Sequence, residues 1–109
     1  MKRGDVVTVA LGSGFGGKPR PALVVQADAF DTPDTLVMTL FTSDFAEGYP
    51  VRPRYEPTVE NGLRETSELM VDIIVTARRS KIGRVIGRLG RDDMARADRA
   101  LLALLGLAG

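Results

Sequence analysis

The 109-residue chain has no cysteine, no histidine and no tryptophan. Without cysteine there is no disulfide and no thiolate chemistry, which suits a reducing compartment. Without histidine the commonest metal ligand is missing, and so is the side chain best suited to proton transfer near neutral pH. Zinc sites and histidine-dependent triads are thereby excluded, and no metal or cofactor is expected. Aromatic residues make up only 6% of the chain, so few rings are left for stacking once the core has taken its share. The longest apolar run, near Ala100–Ala108, is too short for a membrane span and is broken by Gly106. The polar opening Met1-Lys2-Arg3-Gly4-Asp5 leaves no room for a signal peptide, so a cytoplasmic location and no membrane partner are expected.

What is present is an ordinary globular composition, 44% apolar and 27% charged, on a chain long enough for one domain over residues 1–109. The net charge of +1 conceals an uneven distribution. Residues 1–51 carry 4 basic and 6 acidic side chains, residues 52–91 carry 9 and 5, and residues 92–109 carry 2 and 3. The middle segment, at +4, could present a basic surface to a polyanion, although solvated charge is the commoner explanation.

Asp5–Leu11 and Ala22–Gln26 read as strands, the second apolar enough to be buried on both faces. Between them Gly16-Gly17-Lys18-Pro19-Arg20-Pro21 combines a flexible glycine pair with two prolines that stiffen the backbone on either side of Arg20. Such a stretch aims the guanidinium, whose rigid fork of donors matches a phosphate. Thr35–Phe41 is a third strand, and Thr42-Ser43 at its end can project hydroxyls into a cleft. The proline-bearing segment from Phe45 to Asn61 allows a twisted fourth strand at best. A turn at Asn61-Gly62-Leu63 leads to a long strand, Glu68–Ala77, in which Asp72 interrupts an apolar run and requires a partner or pocket.

A basic connection, Arg78–Lys81, precedes a last strand, Ile82–Leu89. The tail is a helix with Met94, Ala97, Leu101, Leu104 and Leu105 on one stripe, ended by Gly106. Strands dominate and one helix closes the chain. The expected class is mainly β (α+β): a small, strongly bent antiparallel sheet or SH3-like partly open barrel with a C-terminal helix.

The ordered set Lys2-Arg3-Gly4-Asp5-Val6-Val7, Lys18-Pro19-Arg20-Pro21-Ala22-Leu23-Val24-Val25-Gln26, Thr42-Ser43, Asn61-Gly62-Leu63 with Ser67, Val71-Asp72, Ile82-Gly83 with Ile86-Gly87-Arg88-Leu89, and Leu104-Leu105-Gly106-Leu107 resembles the MazF/PemK toxins of bacterial type II toxin–antitoxin systems. The resemblance implies a plasmid-maintenance-toxin fold and a homodimer. It also implies a metal-independent endoribonuclease that cuts single-stranded RNA, leaving a 2′,3′-cyclic phosphate and a 5′-hydroxyl. The family's active-site arginine falls on Arg20, and its strand-end hydroxyl on Thr42 with Ser43 beside it. Asp72 is a candidate general base only with a raised pKa; a structural role is the commoner expectation. Some relatives place a catalytic arginine two residues before that acid, where this chain has Met70, and use a histidine that this chain lacks.

Lys18, Arg52, Arg54, Arg78, Arg79, Lys81 and Arg84 are candidates for RNA phosphates, and Phe15, Phe45, Tyr49 and Tyr55 for base stacking. A cognate MazE-like antitoxin with an acidic, disordered tail is the implied protein partner. The alternative within the same fold is a non-catalytic toxin that binds DNA gyrase; those relatives lack the arginine–threonine pair, which favours cleavage here.

Overall fold

The computed structural model describes residues 1–12, 17–49 and 51–107. Within them β1 (Asp5–Ala10), β2 (Pro19–Val24), β3 (Thr35–Thr42), β4 (Arg54–Tyr55), β5 (Ser67–Arg78) and β6 (Ile82–Arg88) precede α1 (Arg91–Leu104). The expectations placed on Ser13, Gly14, Phe15, Gly16 and Pro50 lie outside the described residues. All the strand pairs are antiparallel, in the order β4-β5-β3-β2-β1-β6.

That order dictates the curvature. On a flat sheet, β5 and β6 would stand four strand spacings apart, about 19 Å. Only the 3₁₀ turn Arg79–Lys81 joins them, and its chain reaches at most about 14 Å. The sheet must therefore curl into a half-barrel. A register break in the β3–β5 ladder helps: Thr39 faces Ile74 but Leu40 faces Met70, which leaves Val71, Asp72 and Ile73 outside the ladder as a bulge.

Both faces of the curled sheet are covered. One buried cluster joins Val6, Leu23, Phe41, Leu69 and Val71 to Ala97 and Leu101 of α1, and the other holds Val7, Val9, Ala22, Val24, Met38 and Leu40. This is why Ala22-Leu23-Val24 are buried consecutively, as their apolar run predicts. Two expectations are corrected. β2 begins at Pro19 rather than Ala22, so Arg20 and both prolines are strand residues. Leu104 and Leu105, expected on the buried stripe, are exposed because the contacts of α1 with the sheet end at Leu101.

The 56–63 loop is fixed by the buried side chain of Asn61. Its Oδ1 accepts from the amides of Thr58 (3.0 Å) and Leu63 (2.9 Å), and its Nδ2 donates to the Glu56 carbonyl (2.9 Å). The loop then lies backbone to backbone on β6. A Cβ on Gly62, which has φ +70°, would stand 2.0 Å from the Ile86 carbonyl oxygen, and one on Gly87 would stand 2.3 Å from the Asn61 carbonyl carbon. Neither neighbour is a flexible side chain that could move aside. Gly87→Ala should therefore cost about 3 kcal/mol, read as a lower urea midpoint; an unchanged midpoint would refute this backbone contact.

Candidate functional site

The β2–β3 ladder consists of Ala22–Leu40, Leu23–Thr39 and Val24–Met38. It stops where the prolines begin, because Pro19 and Pro21 have no N–H to donate. On the other side β2 stays paired with β1 through Ala10–Pro19, Val9–Arg20 and Thr8–Pro21, while β3 continues along β5 as far as Thr42–Glu68. The two strands thus part at this end, and the register continued by two residues sets Arg20 and Thr42 opposite one another across the opening. Alternation places both on the sheet face of Ala22 and Leu40.

Arg20 is exposed and Thr42 half-buried. The Thr42 hydroxyl accepts from the Asp44 amide (3.0 Å) and lies 3.3 Å from the Asp44 carbonyl, to which it donates. This local turn fixes the oxygen at the strand end, and Ser43 stands exposed beside it.

The opening is a cleft of about 1130 Å³. Its walls are Thr8 of β1, the Lys18–Pro21 segment, Phe41-Thr42-Ser43, the 62–65 loop with Ser67, and Arg84-Val85-Ile86 of β6. The sequence reading identifies Lys18, Arg20, Thr42, Ser43 and Arg84, which the fold brings together. It misses Thr8, Arg64, Glu65, Val85 and Ile86. Arg64 and Glu65 follow the Asn61-Gly62-Leu63 turn, and that turn was the only local signal for them. Among the described residues the walls carry the cations Lys18, Arg20, Arg64 and Arg84 and the single carboxylate of Glu65. A cleft of that charge draws in a polyanion.

The other candidates lie outside these walls. Arg52 makes a bidentate pair with Asp72, Nε to Oδ1 and Nη2 to Oδ2 at 2.8 Å each, with its side chain only 6% exposed. The same guanidinium lies 3.7 Å from the centre of the Tyr49 ring. Arg54 pairs with Glu68 at 3.0 Å and covers the Phe45 ring at 4.1 Å. Arg79 donates to the Thr32 carbonyl and to Asp31. Arg78 ends β5 opposite Thr35, and Lys81 sits in the 3₁₀ turn. Phe45 and Tyr49 each have one face taken by an arginine. Tyr55 is buried, its hydroxyl donates to the Asp93 carbonyl (2.8 Å), and burial pushes its pKa up to about 12.

Asp72 thus finds the partner its position demands. The hydrogen bonds from Arg52 hold its carboxyl below the usual carboxylate range, and those to Asp72 raise Arg52. A general base needs the opposite shift. Met70, where some relatives have an arginine, packs against the apolar cluster of Val7 and Val9.

The model of the PemK-like, MazF-like toxins of type II toxin–antitoxin systems matches residues 2–105. The chain belongs to this family.

A PemK/MazF relative, the probable endoribonuclease MazF of Mycolicibacterium smegmatis, is 43% identical over 109 residues, all of both chains. The fold matches a mycobacterial endoribonuclease solved in complex with its cognate antitoxin, with a TM-score of 0.82 at 24% identity over 100% of this chain and 98% of that one. It also matches a MazE–MazF complex from Deinococcus radiodurans, with a TM-score of 0.76 at 24% identity over 99% and 97%.

The Arg52–Asp72 pair also fixes a pH dependence. A carboxylate with a lowered folded pKa stabilises fully above its unfolded value of about 4, and that contribution is lost as pH falls through the folded value. At pH 7 Asp72→Asn should be less stable than the native chain by about 2 kcal/mol, since Arg52 keeps a largely buried charge without its partner. The gap should close as pH falls below about 4; a constant gap down to acid unfolding would contradict the pairing.

Proposed function

We propose that this chain is a toxin that acts as a metal-independent endoribonuclease on single-stranded RNA, stopping translation by cutting messenger. The 2′-hydroxyl of one nucleotide attacks the adjacent phosphorus, the bond to the 5′-oxygen of the next nucleotide breaks, and the ends are a 2′,3′-cyclic phosphate and a 5′-hydroxyl. The observation that carries this reading is the placement of Arg20 and Thr42 on the two lips of an open, cationic cleft, at positions that face one another when the strand register is continued. Family membership and the name of the 43% identical relative support it.

Arg20 supplies fixed positive charge to the phosphorane, and Thr42, with Ser43 beside it, orients a non-bridging oxygen. Neither removes a proton readily, and Asp72 is held ionised on Arg52. Charge stabilisation and positioning therefore carry the catalysis, and turnover is slow. Lys18, Arg64 and Arg84 hold the flanking phosphates. Arg52 and Arg54 are engaged instead by Asp72 and Glu68 and by the rings of Tyr49 and Phe45.

Exposed Leu102, Leu104, Leu105 and Leu107 at the end of α1 form the apolar patch on which a second copy packs, giving a homodimer. A cognate antitoxin with an acidic tail seals the cationic cleft, and salt weakens that seal. The protein works in the cytoplasm, where its RNA is.

The purified chain should fragment a mixed single-stranded RNA in EDTA, and Arg20→Ala should slow this by about 10²–10³-fold. RNA left intact across many sequences, or cleavage only on adding magnesium, would overturn the reading. Intact RNA together with inhibited DNA supercoiling would install the gyrase-binding alternative.

A further inference from the structure

Glu65 is out of place in a phosphate-binding cleft. It is exposed and lines the same cleft as Arg20, Arg64 and Arg84, yet among the described residues its carboxylate has no hydrogen bond or ion pair. Nor does it sit on a loose loop. Leu63 is buried and its amide bonds to Asn61, the Thr66 hydroxyl donates to Glu56 at 2.7 Å, and the Ser67 hydroxyl donates to the Glu65 carbonyl itself at 2.9 Å. The 63–67 segment is thus fixed on both sides of Glu65, which it presents at a set position.

A carboxylate repels phosphate, so it adds nothing to the grip on an RNA backbone. Carboxylate oxygens accept hydrogen bonds, and the groups on a single-stranded RNA that satisfy them are base N–H donors. Uracil offers one donor between two carbonyl oxygens, which repel a carboxylate. Cytosine and adenine offer an exocyclic amine. Guanine offers two adjacent donors, N1–H and N2–H₂, that match both carboxylate oxygens.

We infer that Glu65 is a specificity-determining residue: it reads the amino-bearing edge of one base beside the cut, favouring guanine and rejecting uracil. This deepens, and rests on, the ribonuclease reading of the same cleft. It identifies one base-reading residue and places it on the wall formed by the 63–67 segment.

The test is to digest a pool of randomised single-stranded RNA with native protein, Glu65→Ala and Glu65→Gln, and to sequence the new ends. The native profile should show one position near the cut where uracil is depleted by about tenfold or more. In Glu65→Ala that position alone should flatten. In Glu65→Gln, whose amide both donates and accepts, the bias against uracil should fall while the other positions stay as they are. Cleavage by all three proteins with identical profiles overturns the inference and leaves the ribonuclease reading intact. Were Glu65→Ala inactive, a Glu65→Gln profile identical to the native one would also overturn it. Native protein that cuts nothing in the pool overturns the ribonuclease reading, and this inference with it.

Discussion

Two missing backbone donors open the cleft. Pro19 and Pro21 sit in β2 where a ladder to β3 would otherwise continue, and neither can donate to it. Because β1 holds β2 on one side and β5 holds β3 on the other, both strands stay paired while they separate from each other. Arg20, between the prolines, is left on one lip of the gap and Thr42 on the other. A strand residue is presented with less freedom than one on a loop, so a guanidinium here meets a phosphate at little further ordering cost.

The remaining walls depend on curvature. The three-residue turn after β5 brings β6 round to β1, which carries Arg84 to the cleft. Gly62 and Gly87 then let the 56–63 loop lie directly on β6, so Arg64 and Glu65 reach the same opening from the far side. Residues separated by more than 60 positions thus line one cleft.

Much of this was legible in the sequence. β-branched runs marked the first, third and fifth strands to within a residue or two, since their apolar content follows from burial on one or both faces. The placement of Arg20 between prolines and of Thr42 at a strand end was visible too. At the start of β2 the prolines argue against strand, and only the partner strands reveal that its β3 side is an open edge there. Pairings across the fold were hidden. Nothing local joins Arg52 to Asp72, Arg54 to Glu68 or Arg79 to Asp31, so the sequence did not show that these arginines are paired with carboxylates of the same chain. Arg64 and Glu65 carried no motif; the curl of the sheet alone makes them part of the site.

In the proposed reaction the RNA's own hydroxyl is the nucleophile, and the protein contributes fixed charge and orientation. Arg20 cannot act as a base, Asp72 is committed to Arg52, and Thr42 is already engaged with the Asp44 backbone. The most direct test is a short RNA that the protein cuts at one bond, remade with a single 2′-deoxy nucleotide on the 5′ side of that bond. The account predicts that this bond survives while the oligonucleotide still binds with similar affinity. Cleavage at the deoxy position would show that another nucleophile attacks the phosphate, and would contradict it.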